Sequence, residues 1–356
     1  MKRLILVLFV GVLSSPVFAR LSDSDPQNFF LLLGQGALAA KVKIEKTHPP
    51  QAGQPFYLHE LKVEEVVAGA QSLDSIKVME EASSPGLPTV FPQTGDFFAC
   101  FARLPNYTSY REILRQGYEY RLLGGKNGIF LGPNALRVAK KYFNADAAAR
   151  FRILLDVLGD TDSRLANDAA AALAETGRRD WTAEDVAKIL AAQDKPLLQD
   201  AAKLALVKTL ENSANAAGIA GLQRIAEQET GVAQWAAIRA LEKLGRPRSL
   251  PQLVEDFRRA PDAEKPQALA LIAIRQDAAE FFSGVLAGPF SFEIKKSAIQ
   301  NLALRKIPAY EDLLLDLLAQ NDAALQSEAV LALGRMGSVR AVPKIIPLLD
   351  NSPPQV

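Results

Sequence analysis

Residues 325–350 read LQSEAVLALGRMGSVRAVPKIIPLLD. Within them the pair Ala332-Leu333 follows Ala329 by three positions. Positions three apart on a helix share a face, so the spacing predicts a helix with a column of small residues. After a break, residues 341–350 form a second amphipathic segment. Upstream, a small residue followed by an aliphatic one recurs at Ala172-Leu173, Ala205-Leu206, Ala240-Leu241, Ala270-Leu271 and Asn301-Leu302. The gaps between the six pairs are 33, 35, 30, 31 and 31 residues. Three residues before each pair stand Ala169, Ala202, Ala237, Gln267, Ala298 and Ala329. Second amphipathic segments follow at 183–192, 250–259 and 310–319.

Two helices per unit at this period predict stacked helical hairpins. No single hairpin can bury its apolar stripe, so each needs its neighbour. The small column lets the next helix approach closely. The count is seven first helices against six second ones, with the last at the chain end. Val342, Ile345, Ile346 and Leu349 would then lack a covering helix. This predicts a truncated chain, or an uncapped end that docks a partner or self-associates with a second copy.

The 325–350 segment closely resembles a HEAT repeat of the type found in phycobilisome-lyase-like proteins. Residues 232–257, VAQWAAIRALEKLGRPRSLPQLVEDF, resemble it less closely. The middle units depart at Gln267, at Asn301 and at Arg275, where an aliphatic is usual. The resemblance spans residues 145–356 and implies a superhelical α-α solenoid. It does not by itself imply a function.

The first half has a different period. In residues 36–46, Val42 and Ile44 alternate with Lys41, Lys43 and Glu45. Residues 56–67, 75–79, 96–104, 118–122 and 129–131 read as further strands, separated by proline and glycine. Gly124-Gly125-Lys126-Asn127-Gly128 reads as a hairpin turn joining the last two. About six strands in ~120 residues suit a small barrel or sandwich. The segments VEEVVAG (63–69), GDFFACFARL (95–104) and YEYRLLGGKNGIF (118–130) resemble the OB-type barrel of netrin-like and metalloproteinase-inhibitor-like domains. Inhibitors of that class carry a disulfide-tied N-terminal cysteine, which this chain lacks, so inhibition does not carry over. The expected fold is multidomain, β followed by all-α. An OB-like barrel spans 20–143 and a HEAT-like solenoid spans 145–356.

Residues 1–19, MKRLILVLFVGVLSSPVFA, have a basic start, an apolar run of about ten residues and small residues before a cut after Ala19. That is the pattern of a secretory signal peptide, and its run is too short to span ~30 Å of hydrocarbon. The expected location is periplasmic or secreted, without stable membrane insertion.

The chain has 356 residues, with 41 Lys+Arg against 40 Asp+Glu. Near-neutral balance argues against nucleic-acid binding, which needs a basic face. One cysteine, Cys100, and two histidines, His48 and His59, exclude an internal disulfide and the common zinc motifs. Cys100, flanked by Phe98, Ala99 and Phe101, reads as a buried inert thiol. His59 reads as structural. Its metal alternative would recruit Glu60 or Glu64. Glu64-Glu65 and Glu80-Glu81 read as solvated edge charges, because adjacent strand residues face opposite ways. Gly34-Gln35-Gly36-Ala37-Leu38-Ala39 imitates a phosphate-binding fingerprint but reads as a loop entering the first strand. Asn106-Tyr107-Thr108 fits the N-glycosylation pattern, and Tyr107 and Tyr110 on that loop suit protein recognition. Trp235, placed on a second helix with Gln234 and Arg239, is the candidate binding surface of the solenoid.

The resulting expectation is an exported, non-catalytic scaffold without a cofactor or metal, binding a protein partner along the solenoid. An enzyme of lyase-like or hydrolytic type, sited between barrel and solenoid, is one alternative. An inhibitor-like role for the barrel is the other.

Overall fold

The computed structural model describes residues 28–50, 56–81, 89–92, 95–107, 110–123, 128–320 and 322–351. The leader read at 1–19 lies outside them, as do 124–127 of the glycine-rich turn. The chain divides into two compact units between Leu173 and Ala174.

The first unit opens with helix α1 (Phe29–Gln35) and continues into β1 (Leu38–His48), β2 (Phe56–Ala68), β3 (Ser75–Glu81) and β4 (Asp96–Arg103). Helix α2 (Arg111–Arg115) and strands β5 (Tyr120–Leu122) and β6 (Ile129–Leu131) follow. The strands close in the order β1-β2-β3-β5-β4-β1, with β6 also on β4. Only the β3–β5 pair is parallel. This is a five-stranded closed barrel of OB type. Three register shifts between β1 and β2 bend that long ribbon around the barrel. Val42, Leu61, Val78, Phe97, Ala99 and Phe101 fill the interior.

β4 is apolar on both faces for a physical reason. Its outward Phe98 and Cys100 are covered by α1, whose Phe29 ring lies 6.0 Å from Phe98 and 4.7 Å from Phe130. The Gly34–Gly36 segment is therefore not a loop. Gly34 lies inside α1, and Gly36 caps it. The order is helix then strand, the reverse of what a phosphate cradle needs.

The glycine-rich turn does not make a hairpin. Phe101–Arg103 of β4 pair antiparallel with β5, and Phe97–Ala99 pair antiparallel with β6. Both segments run in one direction along the same edge of β4, so they cannot pair with each other. They form one interrupted strand. Leu123 continues the ladder by donating its N–H to the Cys100 carbonyl at 3.0 Å. A Cβ on Gly128 would fall 1.7 Å from the Leu123 carbonyl oxygen, so only glycine lets the two ends meet.

Helices α3 (Pro133–Phe143), α4 (Ala147–Val157) and α5 (Ser163–Glu175) follow. They are joined to the barrel within the first unit. Asp168 of α5 accepts from the Phe29 N–H at 2.9 Å, at the N-terminus of α1. The Arg164 guanidinium lies 3.8 Å over the Phe130 ring and donates to the Ile129 carbonyl at 2.8 Å. Lys140 of α3 pairs with Glu65 of β2.

The second unit holds α6 (Ala183–Gln193), α7 (Asp200–Ser213), α8 (Ala216–Gln228), α9 (Gly231–Lys243), α10 (Leu250–Arg259) and α11 (Lys265–Ile272). It ends with α12 (Ala279–Ala287), α13 (Phe292–Ala303), α14 (Pro308–Leu317), α15 (Ala323–Met336) and α16 (Val342–Asn351). The six small-aliphatic pairs fall on α5, α7, α9, α11, α13 and α15. Each is followed by a second helix, so the count of seven against six gives way to six and six among the described residues. At the far end Val342 and Ile346 are 52% and 55% exposed. No helix among the described residues is long and apolar enough to cross a membrane.

First helices pack in a column, α7 on α9, α11 on α13 and α13 on α15. Ala202, Ala237, Ala298 and Ala329 are buried at these seams, as the small column requires. Polar contacts repeat at the same interval. Lys208 reaches back to Glu175 at 3.5 Å, Lys243 to Glu211 at 2.9 Å and Arg275 to Glu242. Arg275 also donates to the Arg248 carbonyl at 2.8 Å, and the Tyr310 hydroxyl donates to the Arg275 carbonyl. The arginine that breaks the repeat pattern thus stitches three successive units. The solvent-facing pairs among these, Lys208–Glu175 and Lys243–Glu211, contribute about 0–1 kcal/mol each. One buried leucine contributes ~2 kcal/mol or more, so the apolar seams hold the stack.

Candidate partner-binding grooves

Two open grooves mark the second unit. The first, about 420 Å³, runs across the first helices α7, α9 and α11. Leu204 and Val207 line it with Trp235, Arg239, Lys243 and Gln267. The predicted trio divides here. Trp235 lies on α9, the first helix of its pair and not the second. It is 1% exposed, and its indole N–H donates to Glu264 at 3.0 Å, so it anchors the seam toward α11. Gln234 points back instead, donating to the Ala226 carbonyl at 3.3 Å. Arg239 is exposed, with no ion pair among the described residues.

The second groove, about 460 Å³, lies between the second helices α10 and α12. Leu250, Val254, Phe257, Phe281 and Phe290 form its apolar lining. Phe257 is buried, and the half-buried rings of Phe281 and Phe290 stand edge-on to it at 5.1 and 5.5 Å. Ser249 and Gln252 form a capping box that fixes the start of α10. Of the two walls of this groove, only the α10 segment, 250–259, reads from the sequence as a second helix. The available signal was Phe281-Phe282 two residues before Gly284, a bulky pair beside a gap.

The barrel loop presents one tyrosine. Tyr107 is 52% exposed and stacks on Tyr110 at 6.1 Å. Tyr110 packs against Phe56 at 5.9 Å, and Tyr118 is buried in the same rim cluster. Thr108 of the glycosylation pattern lies outside the described residues.

Several titratable groups of the barrel are paired. His59 is fully buried, with Nε2 3.0 Å from Glu80 and Nδ1 3.0 Å from the Thr47 hydroxyl. Glu80 also accepts from the Thr89 hydroxyl and from the Val90 N–H at 2.9 Å. Glu80 is therefore not the solvated edge charge expected for it. It turns inward, where His59, the Thr89 hydroxyl and the Val90 N–H replace water. Glu60 is 3.3 Å from His48, not from His59. Lys41 bridges Glu64 at 2.6 Å and Asp96 at 2.9 Å, and these contacts hold its amine above the ordinary lysine range. Burial pushes the Cys100 thiol up to about 12. Burial likewise pushes the Asp168 carboxyl up to about 6, although the Phe29 N–H and Arg164 oppose it. Among the described residues no group of three or more His, Cys, Asp or Glu side chains is placed to hold a metal.

The HEAT repeats family matches residues 284–356. The PBS lyase HEAT-like repeat family matches residues 233–255. No curated protein matches the chain. Among solved structures, the complex of CpcE and CpcF of phycocyanin lyase from Nostoc sp. PCC7120 is similar at 22% identity and a TM-score of 0.32. That match covers 55% of this chain and 80% of the other. The family matches fall on α9 to α10 and on α12 to α16, where hairpins stack at the repeat interval. The helical part of this chain is a HEAT-like repeat array.

Proposed function

We propose that this protein is an exported scaffold that acts by binding a protein partner through its helical repeats. The observation that carries this reading is the groove between α10 and α12, open and lined by aromatic side chains. Half-buried aromatics in a concave site are the groups that anchor protein partners. Rigid stacked hairpins also reduce the ordering cost of association. Exposed Tyr107 on the barrel supplies a second contact. Export rests on the leader pattern of residues 1–19.

A photo-crosslinking residue placed at Val254, and another at Arg239, tests the binding reading in envelope extract. The expected result is a discrete protein adduct from at least one groove. Adducts from neither position, or a small-molecule adduct alone, overturn the scaffold. Intact mass of the protein from the envelope fraction tests export. The expected chain begins at Arg20, and a chain that retains residues 1–19 in the cytosol overturns it.

A further inference from the structure

We infer that the groove between α10 and α12 takes a short basic peptide segment of the partner protein. This rests on the scaffold reading and adds the chemistry of the partner. The first support is Gly284, in the middle of α12 and on the groove wall. Glycine inside a helix costs about 1 kcal/mol relative to alanine. Packing explains that cost at Gly221, while exposed Gly334 of α15, like Gly284, meets nothing, and of these two only Gly284 lines a groove. In α8, a Cβ on Gly221 would meet the Val186 Cγ1 of α6 at 2.8 Å. A Cβ on Gly284 would meet nothing within 4 Å, and its φ is not in the left-handed region. The glycine leaves space that no part of the described chain fills, and that space opens onto the groove. Glycine commonly stands where a ligand approaches the backbone closely.

The second support is charge. Asp277 and Glu280 stand exposed on the rim, and neither has an ion-pair partner among the described residues. They flank the N-terminus of α12. The groove's cation, Arg258, shares Glu255 with Arg259, which holds it at 2.8 Å, so the groove lining sets two carboxylates against one arginine. The groove lining therefore presents a net negative charge beside the faces and edges of Phe281 and Phe290. A lysine or arginine fits that setting twice over, by pairing with the carboxylates and by approaching an aromatic ring. An apolar neighbour on the same peptide seats over Gly284.

The test uses the purified full chain and two fluorescent peptides, one of alternating lysine and leucine and one of alternating glutamate and leucine. Anisotropy titration is expected to show the lysine peptide binding at least about tenfold tighter at low salt, with the difference shrinking as ionic strength rises. Asp277→Asn with Glu280→Gln is expected to remove the preference. Gly284→Leu is expected to abolish binding without lowering Tm, because it fills the gap and favours the helix. Equal binding of the two peptides, or a preference untouched by the rim substitutions, overturns the inference. A protein adduct at Val254 without a charge preference sinks this inference and leaves the scaffold standing. Absent adducts sink the scaffold whatever the peptides do.

Discussion

The barrel and the helical stack solve the same problem of burial on different length scales. In the barrel, Ala40 pairs with Ala99 and Phe97 with Leu131, so closure joins segments far apart in the chain. In the stack, Lys208 meets Glu175 and Arg275 meets Glu242, each about one repeat away. The barrel accordingly holds a polar cluster around buried His59 and Glu80, whose half-buried partners come from β1 and the 89–90 segment. The stack buries polar groups only in isolated places, such as the Arg248–Asp256 pair and Lys265, and packs its seams with apolar side chains. The lesson is that a defect in the barrel affects the whole ring, while a defect in the stack stays close to its own unit.

Substitutions sharpen the contrast. Glu80→Ala carries the largest effect, because it strands His59, the Thr89 hydroxyl and the Val90 N–H in the interior. The expected loss is about 3–5 kcal/mol, read in urea melts as early unfolding of the barrel with the helical transition unmoved. Coincident loss of both transitions breaks the comparison. Leu302→Ala removes a fully buried side chain from α13. It is expected to cost about 2–4 kcal/mol, with hydrogen exchange quickening in α11, α13 and α15 and unchanged in the barrel strands.

Asp168 gives a smaller, pH-dependent effect. Its folded pKa of about 6 lies above the ordinary aspartate value. The folded state thus binds the proton more tightly than the unfolded one. The stability this group contributes is full below pH ~4 and is lost as pH rises to ~6. Asp168→Asn keeps an acceptor for the Phe29 N–H and removes the buried charge. It is expected to flatten the Tm profile between those values and to raise stability at pH 7 by on the order of 1–2 kcal/mol. An unaltered profile rejects the assignment. Lys243→Ala sits at the bottom of the range. Its partner Glu211 stays partly solvated, so the expected loss is under about 0.5 kcal/mol. A loss above ~2 kcal/mol would show that the edge ion pairs, not the apolar seams, hold the stack.

Much of this architecture was readable in advance. The six strands were found within a few residues because alternation is local, as in Val42 and Ile44 of β1. The first helices were found because their alanine column repeats. α8 and α12 were not named, since glycines interrupt their apolar pattern. β5 and β6 were joined into a hairpin because Gly-Lys-Asn-Gly is a turn signal wherever it occurs. Only the pairing of both with β4 shows that the turn is an excursion along one edge. The candidate site was less legible than the fold. Trp235 is a large aromatic beside an exposed arginine, yet burial depends on α11 and Glu264, which pack over it. Phe281 and Phe290 look like ordinary core residues until α10 leaves their edges open.

Local chemistry alone dictated the helical hairpins, their interval and the strand-rich first half. Periodic apolar and small residues favour one backbone geometry before any distant contact forms. Assembly of distant segments decided the rest. It turned Glu80 inward to His59, sank Trp235 into a seam and left the space over Gly284 empty. Which side chains are covered depends on neighbours a repeat or more away, and no local pattern records where those neighbours stop.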